Sequence, residues 1–179
     1  MSAFAASSEC DFNMSFPMSR DSDKKGNDKK GSDSQKSAMN SALRYLARRD
    51  YSRLELYQKL IAKGLQSSVV NETLDNLKLQ GYQSDERFAE MFIRSRISSG
   101  DGPFKIKIAL RGKGICDSLA LAVFDKLQVD WFEQVQTVQR KRFGDLPIED
   151  VTETARQVRY LKNKGFYQEH INAVIKHTF

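Results

Sequence analysis

Leu56-Tyr57-Gln58-Lys59-Leu60-Ile61-Ala62-Lys63-Gly64-Leu65 returns, with the same ending, as Ile106-Lys107-Ile108-Ala109-Leu110-Arg111-Gly112-Lys113-Gly114-Ile115 and as Gln157-Val158-Arg159-Tyr160-Leu161-Lys162-Asn163-Lys164-Gly165-Phe166. The aligned glycines Gly64, Gly114 and Gly165 lie 50 and 51 residues apart, each between a lysine and a large apolar residue. Self-similarity at a fixed period signals a tandem array rather than one globular core. The register holds downstream, where Val70, Ala120 and Ile171 align, followed by Leu74, Phe124 and Ile175.

Each copy reads as three short helices. In the first, Leu43, Leu46 and Ala47 fit an amphipathic helix that stops near Asp50. Ser52 and Glu55 form a capping box for the second helix, whose buried stripe is Leu56, Leu60 and Ile61. Gly64 then ends that helix in the left-handed conformation that glycine adopts without the β-carbon penalty, and Leu65 folds back on the last turn. Ser67 is the expected cap of the third helix, which carries Val70, Leu74 and Leu77 and stops at Gly81.

The second copy starts at Ser84-Asp85-Glu86-Arg87, a capping serine followed by acids at the positive end of the helix dipole. Phe88, Phe92 and Met91 face inward. Gly100-Asp101-Gly102-Pro103 breaks the chain and sets Pro103 at the first position of the next helix, while Asp117 is the expected cap of the last. Lys105-Ile106-Lys107-Ile108 alternates like a strand, but its repeat partners at 55–58 and 156–159 are helical, and helix is the expectation. Asp130 with Glu133, and Asp150 with Glu153, open helices of the third copy, which closes on Ile171, Val174 and Ile175.

These patterns predict an all-α protein of three tandem three-helix repeats, at 41–81, 82–129 and 130–179, behind a disordered polar tail at 1–40. The tail is rich in Ser, Asp and Lys and has no apolar period. It cannot bury enough surface to offset ordering entropy of roughly 1–2 kcal/mol per residue. No basic segment precedes an apolar run at the start of the chain, so no secretory signal is expected, and no window approaches the ~20 apolar residues of a membrane span. Cys10 and Cys116 make neither a disulfide framework nor a metal-ligand spacing, which fits a reducing, cytoplasmic setting.

The net charge is +6 over 179 residues. Acids and bases balance in the tail, so the excess belongs to the repeats. Arg87, Arg94, Arg96, Lys105, Lys107, Arg111 and Lys113 face only Glu90 and Asp101 within their own stretch, a local footprint for a polyanion. Groups suited to catalysis are few. His170 and His177 lie seven residues apart without a third ligand, and a structural or surface role is expected for both. Cys116 sits between two helices with no basic partner evident and reads as a plain small residue. Gly112-Lys113-Gly114 lacks the spacing and the preceding strand of a phosphate loop. Tyr45, Tyr51, Tyr82, Phe104, Trp131 and Phe166 read mainly as core, with base stacking as the lesser alternative. Neither catalytic residues, nor a metal, nor a cofactor is expected.

Gly81-Tyr82-Gln83-Ser84-Asp85-Glu86-Arg87-Phe88-Ala89, then Gly102-Pro103, the helix Lys105 to Arg111 and Lys113-Gly114-Ile115, resembles the RecX family of RecA regulators. The resemblance spans about Ala42 to Ile175 and includes Leu161-Lys162-Asn163-Lys164-Gly165-Phe166. It implies an elongated, curved helical array lying along the groove of the RecA–single-stranded-DNA filament. Such a protein restrains recombinase ATP hydrolysis, strand exchange and filament growth, and so acts in DNA repair, recombination and the SOS response. The catalytic groups would be RecA's own. The implied partners are RecA and, without sequence specificity, DNA phosphates; a monomer is expected, with the seven basic residues above as candidate contacts. Two departures stand out: the long tail, and Gln157, Gln168 and His170 in the third repeat, which mark it as the least stable or most adaptable. A helix-turn-helix transcription regulator is the alternative, with Leu56 to Leu77 as the module, but its reading helix would carry Glu72 and Asp75 and no arginine. A helical scaffold for some other protein is a third possibility.

Overall fold

A computed structural model describes residues 28–144 and 150–175, all of whose regular structure is helical. The helices are α1 (Asp28–Leu46), α2 (Arg53–Ile61), α3 (Ser67–Leu79), α4 (Asp85–Ser98), α5 (Pro103–Arg111), α6 (Asp117–Leu127), α7 (Trp131–Phe143), α8 (Val151–Lys164) and α9 (Gln168–Val174). They form three tandem three-helix domains in two compact units, one ending at Ser84 and the other beginning at Asp85.

In the first unit α1 packs on α2 and α3 around Ala42, Tyr51, Leu56, Leu60, Val70, Leu74 and Leu77. Helix α1 corrects the expected tail over 28–40: Ala38 and Ala42 are fully buried, with Met39, Leu43 and Leu46 packed beside them. Alanines at four-residue spacing carry little hydrophobic signal, yet they allow two helices to approach closely and so extend the buried stripe a full turn before Leu43. The remainder of the expected tail, 1–27, lies outside the described residues, as do Cys10 and His177.

The second unit holds two cores. One joins α4, α5 and α6 through Phe88, Ile93, Ile106, Leu110, Ile115 and Phe124; the other joins α7, α8 and α9 through Val135, Val138, Leu161, Phe166 and Ile171. Trp131 packs against both, its ring 5.3 Å from Phe124 and edge-on to it.

The repeated glycines do what the sequence implies. Gly64, Gly114 and Gly165 have φ of +80°, +79° and +88°. After Gly114 and Gly165 the next amide returns to the last helical turn, Ile115 N to Leu110 O at 3.0 Å and Phe166 N to Leu161 O at 3.2 Å. These bonds occupy carbonyls that helix ends otherwise leave without partners. The aligned residues Val70, Ala120 and Ile171 are all buried.

Capping follows the sequence in part. Ser52 Oγ accepts from the Glu55 amide at 3.1 Å, Asp130 from the amides of Phe132 and Glu133, and Asp150 from that of Thr152. Ser67 and Asp117, however, are not caps. The caps of α3, α6 and α9 are the aligned Gln66, Cys116 and Tyr167, each with extended backbone and none with a side-chain capping bond. The glycine turn sets where the next helix begins, one residue before the side chain that would cap it best. Ser67 instead bonds Tyr57 Oη at 2.9 Å. Ile61, expected in the buried stripe, stands at the surface.

Candidate partner-binding surface

The basic residues of the middle domain come from α4, α5 and the turn after α5, and the fold gathers five of the seven candidates on three acids. Arg94 reaches Glu90 one turn back on α4 at 3.1 Å, and Lys126 of α6 reaches the same carboxylate at 3.2 Å and Glu86 at 2.8 Å. The Arg94 and Lys126 donors hold the Glu90 carboxyl below its ordinary value, and Glu86 and Glu90 raise the Lys126 ammonium.

Asp101 forms the second group. It is buried in the loop between α4 and α5, where Lys105 bonds it at 2.7 Å and Arg96 approaches to 3.6 Å. Arg96 also lies over the Phe92 ring, its guanidinium carbon 5.0 Å from the centroid. A carboxylate out of water needs such partners. These two cations therefore serve the loop between helices before any external ligand.

Asp117, at the first turn of α6, gathers the third. Arg111 grips it with two donors, Nε bonding Oδ1 at 2.6 Å and Nη2 bonding Oδ2, while Lys107 approaches to 3.8 Å. The fork lowers the Asp117 carboxyl and raises the guanidinium. Counting charge only to Lys113 leaves out Asp117, which the turn at Gly114 folds back onto α5. Arg87 projects into solvent from α4, and Lys113 is half-buried beside the turn. The seven candidates thus belong to one domain, but five of them share their charge with Glu90, Asp101 or Asp117.

The loop that holds Asp101 is also the joint between the second and third domains. Gly102 N donates to Lys164 O at 2.7 Å and Phe104 N donates to Gly165 O at 3.0 Å. A β-carbon on Gly102 would lie 2.5 Å from the Gly165 carbonyl, and one on Gly165 would collide with Lys105 Cβ. Gly165 is therefore required twice, by its positive φ and by this backbone approach. Beside the joint, Phe104 and Ile108 of α5 are exposed, and Tyr167 at the start of α9 sets its ring 6.2 Å from Phe104. Nothing in the repeat pattern marks Tyr167 as a neighbour of Phe104, since the two are distant in the chain.

In the third domain Gln157 occupies the repeat position of the buried Leu56 and Ile106. It is itself buried, but satisfied, accepting from Gln139 and donating to Glu153, both at 3.1 Å. His170 is also buried, and its Nδ1 lacks a hydrogen-bond partner. Gln168 bonds Asn172 at 2.7 Å. Among the described residues no cluster of His, Cys, Asp and Glu could hold a metal ion, and no helix is long and apolar enough to cross a membrane. Cys116, at the start of α6, sets its Sγ 3.2 Å from Ser118 Oγ.

Comparison with known proteins matches each domain in turn. Family models described as the first, second and third three-helix domains of RecX cover residues 38–77, 84–123 and 128–175. The chain belongs to the RecX family. A relative named "Regulatory protein RecX" from Halorhodospira halophila is 38% identical over 134 residues, which is 75% of this chain and 83% of the relative. Another of that name, from Acidithiobacillus ferrooxidans, is 41% identical over 134 residues, covering 75% and 85%. The crystal structure of RecX from Lactobacillus salivarius shares the fold, with a TM-score of 0.71 at 24% identity over 81% of this chain and 96% of that one. The Halorhodospira and Acidithiobacillus relatives are named as regulatory proteins, not as enzymes.

Proposed function

We propose that this RecX-family chain binds the RecA–single-stranded-DNA filament and modulates it, mainly by inhibiting RecA ATP hydrolysis, strand exchange and filament growth. It would act in the cytoplasm, as a monomer without catalytic activity of its own, in repair, recombination and control of the SOS response. The observation that carries this is the match of all three domains, in order, to the RecX domains. A RecA filament repeats its protomers, so a binder with three similar domains can meet several of them and gain from multivalency without strong single contacts.

Arg87, Arg94, Arg96, Lys105, Lys107, Arg111 and Lys113 are the proposed contacts to DNA phosphates and to acidic filament surface. Of these, Arg96 and Lys105 also support the buried Asp101. The helix-turn-helix regulator is disfavoured by α3, whose Asp75 pairs with Arg53 at 2.8 Å and whose single basic residue in the last turn is Lys78. An acidic reading helix suits a phosphate-lined groove poorly.

The test is RecA-catalysed ATP hydrolysis on single-stranded DNA with sub-stoichiometric amounts of this protein. A fall in rate together with shorter filaments is expected; an unchanged rate and filament length would sink the proposal. Tight binding to one duplex sequence without RecA would favour the transcription regulator instead.

A further inference from the structure

The outer side of α5 is unlike its counterparts in the other two domains. Phe104, Lys107, Ile108 and Arg111 stand where α2 has Leu54, Tyr57, Gln58 and Ile61 and where α8 has Ala155, Val158, Arg159 and Lys162. At helical spacing these four share one stripe, opposite the buried Pro103, Ile106 and Leu110. Phe104 is 52% exposed and Ile108 51%. Large apolar side chains adjacent to one another at the surface point to a binding function more than isolated ones do.

The stripe continues into the third domain through rings. Phe104 meets Tyr167 at 6.2 Å and an interplanar angle of 66°. Tyr167 meets His170 at 5.7 Å, and His170 meets Phe132 at 5.0 Å. Tyr167 and Phe132 are 37% and 48% exposed. The buried His170 thus lies between Tyr167 and Phe132, and the row reaches Phe104 through Tyr167.

Charge selects the occupant. Helix α5 carries Lys105, Lys107 and Arg111 and no acid. Asp117 takes Nε and Nη2 of Arg111, which leaves Nη1 outside the fork and able to donate elsewhere. Aromatic surfaces interleaved with cations match a polyanion whose bases have free faces. An unpaired strand has such bases; a duplex keeps them stacked.

We propose that Phe104, Ile108, Arg111 and Tyr167 form a seat for an unpaired nucleic-acid strand, with bases against the two rings and adjacent phosphates on Arg111 and Lys107. This deepens the nucleic-acid part of the proposed function and rests on it. Direct binding to the RecA protein does not depend on it.

The test uses the full chain without RecA, and a fluorescein-labelled oligothymidine whose anisotropy is followed across a salt series. Phe104→Leu and Tyr167→Leu keep apolar bulk and remove the ring, and each should weaken binding about tenfold with an unchanged salt slope. Phe104→Trp should restore affinity. Arg111→Gln should instead reduce the slope by about 0.7, one phosphate's worth on a single strand. The proposal is overturned if the wild-type chain does not bind oligothymidine, if the leucine variants bind as tightly as wild type while folded by circular dichroism, or if Phe104→Trp is as weak as Phe104→Leu. It is equally overturned if the leucine variants bind oligothymidine normally but lose inhibition of RecA ATP hydrolysis, which would mark a surface for protein. Inhibition by the wild-type chain, measured in parallel, tests the broader function separately.

Discussion

Three glycine-to-alanine substitutions separate what the repeat imposes on each domain from what the joint imposes between domains. Gly64→Ala adds a β-carbon with nothing within 4 Å, at a φ of +80°. Its cost is the left-handed backbone alone, about 1–2 kcal/mol. Gly102→Ala is the converse case. Its φ of −85° suits any residue, but the new β-carbon would sit 2.5 Å from the Gly165 carbonyl and 2.6 Å from Phe166 N. Those atoms are backbone and cannot swing aside. Relief means moving α5 away from the α8–α9 turn, at an overpacking cost of about 1–3 kcal/mol. It also strains the bonds from Gly102 N to Lys164 O and from Phe104 N to Gly165 O, at about 1 kcal/mol each. A loss of about 3–5 kcal/mol is expected.

Gly165→Ala combines the two, and about 4–7 kcal/mol is expected. The double variant Gly102→Ala/Gly165→Ala should lose clearly less than the sum, because both breach one joint. Urea unfolding followed by circular dichroism measures the losses, and amide hydrogen exchange assigns them, to the first unit for Gly64→Ala and to the second for the others. If Gly102→Ala stays within about 0.5 kcal/mol of wild type, the close approach of the two domains is refuted. If Gly64→Ala and Gly165→Ala lose the same amount, Gly165 is only a helix stop.

Other outcomes follow from single contacts. Asp101→Asn keeps the shape of the loop but removes the charge facing Lys105 and Arg96, and should cost about 1–3 kcal/mol by urea unfolding. Ser52→Ala removes the acceptor for the Glu55 amide and should cost about 1 kcal/mol in the first unit, without altering exchange in the second. Burial lowers the His170 pKa below the ordinary imidazole value. The unfolded chain therefore takes up this proton first, so stability is full above about pH 6.5 and falls as the pH drops from there to the lower folded value. His170→Phe should flatten that part of the pH profile of unfolding, and an unchanged profile would assign it to other groups. Reversing charge at Arg94, Lys107 and Arg111 together should weaken filament binding and flatten its salt dependence; unchanged binding would leave the patch as solvated surface.

The period of the glycines was enough to read three helical domains, their helix stops and most of their core, because a left-handed turn and an apolar stripe are local demands that a sequence states openly. The same local logic placed Ser52, Asp130 and Asp150 as caps. It failed where a neighbouring element decided the matter: at Ala38 and Ala42, whose burial depends on the helices they meet, and at Ser67 and Asp117, where the preceding glycine turn sets the start of the helix. The candidate surface was legible as a run of positive charge. Its division into groups around Glu90, Asp101 and Asp117 was not, since these pairings depend on how turns bring helices together.

The chain by itself therefore determined the repeat, the glycine turns and the family, all of which reside in residue types at fixed spacing. Only the tertiary structure decided that Gly102 must meet Gly165, that Asp117 must restrain Arg111, and that Phe104 must stand beside Tyr167. Each of these pairs is separated along the chain and joined by backbone approach or side-chain reach in space, so no one-dimensional pattern can record it.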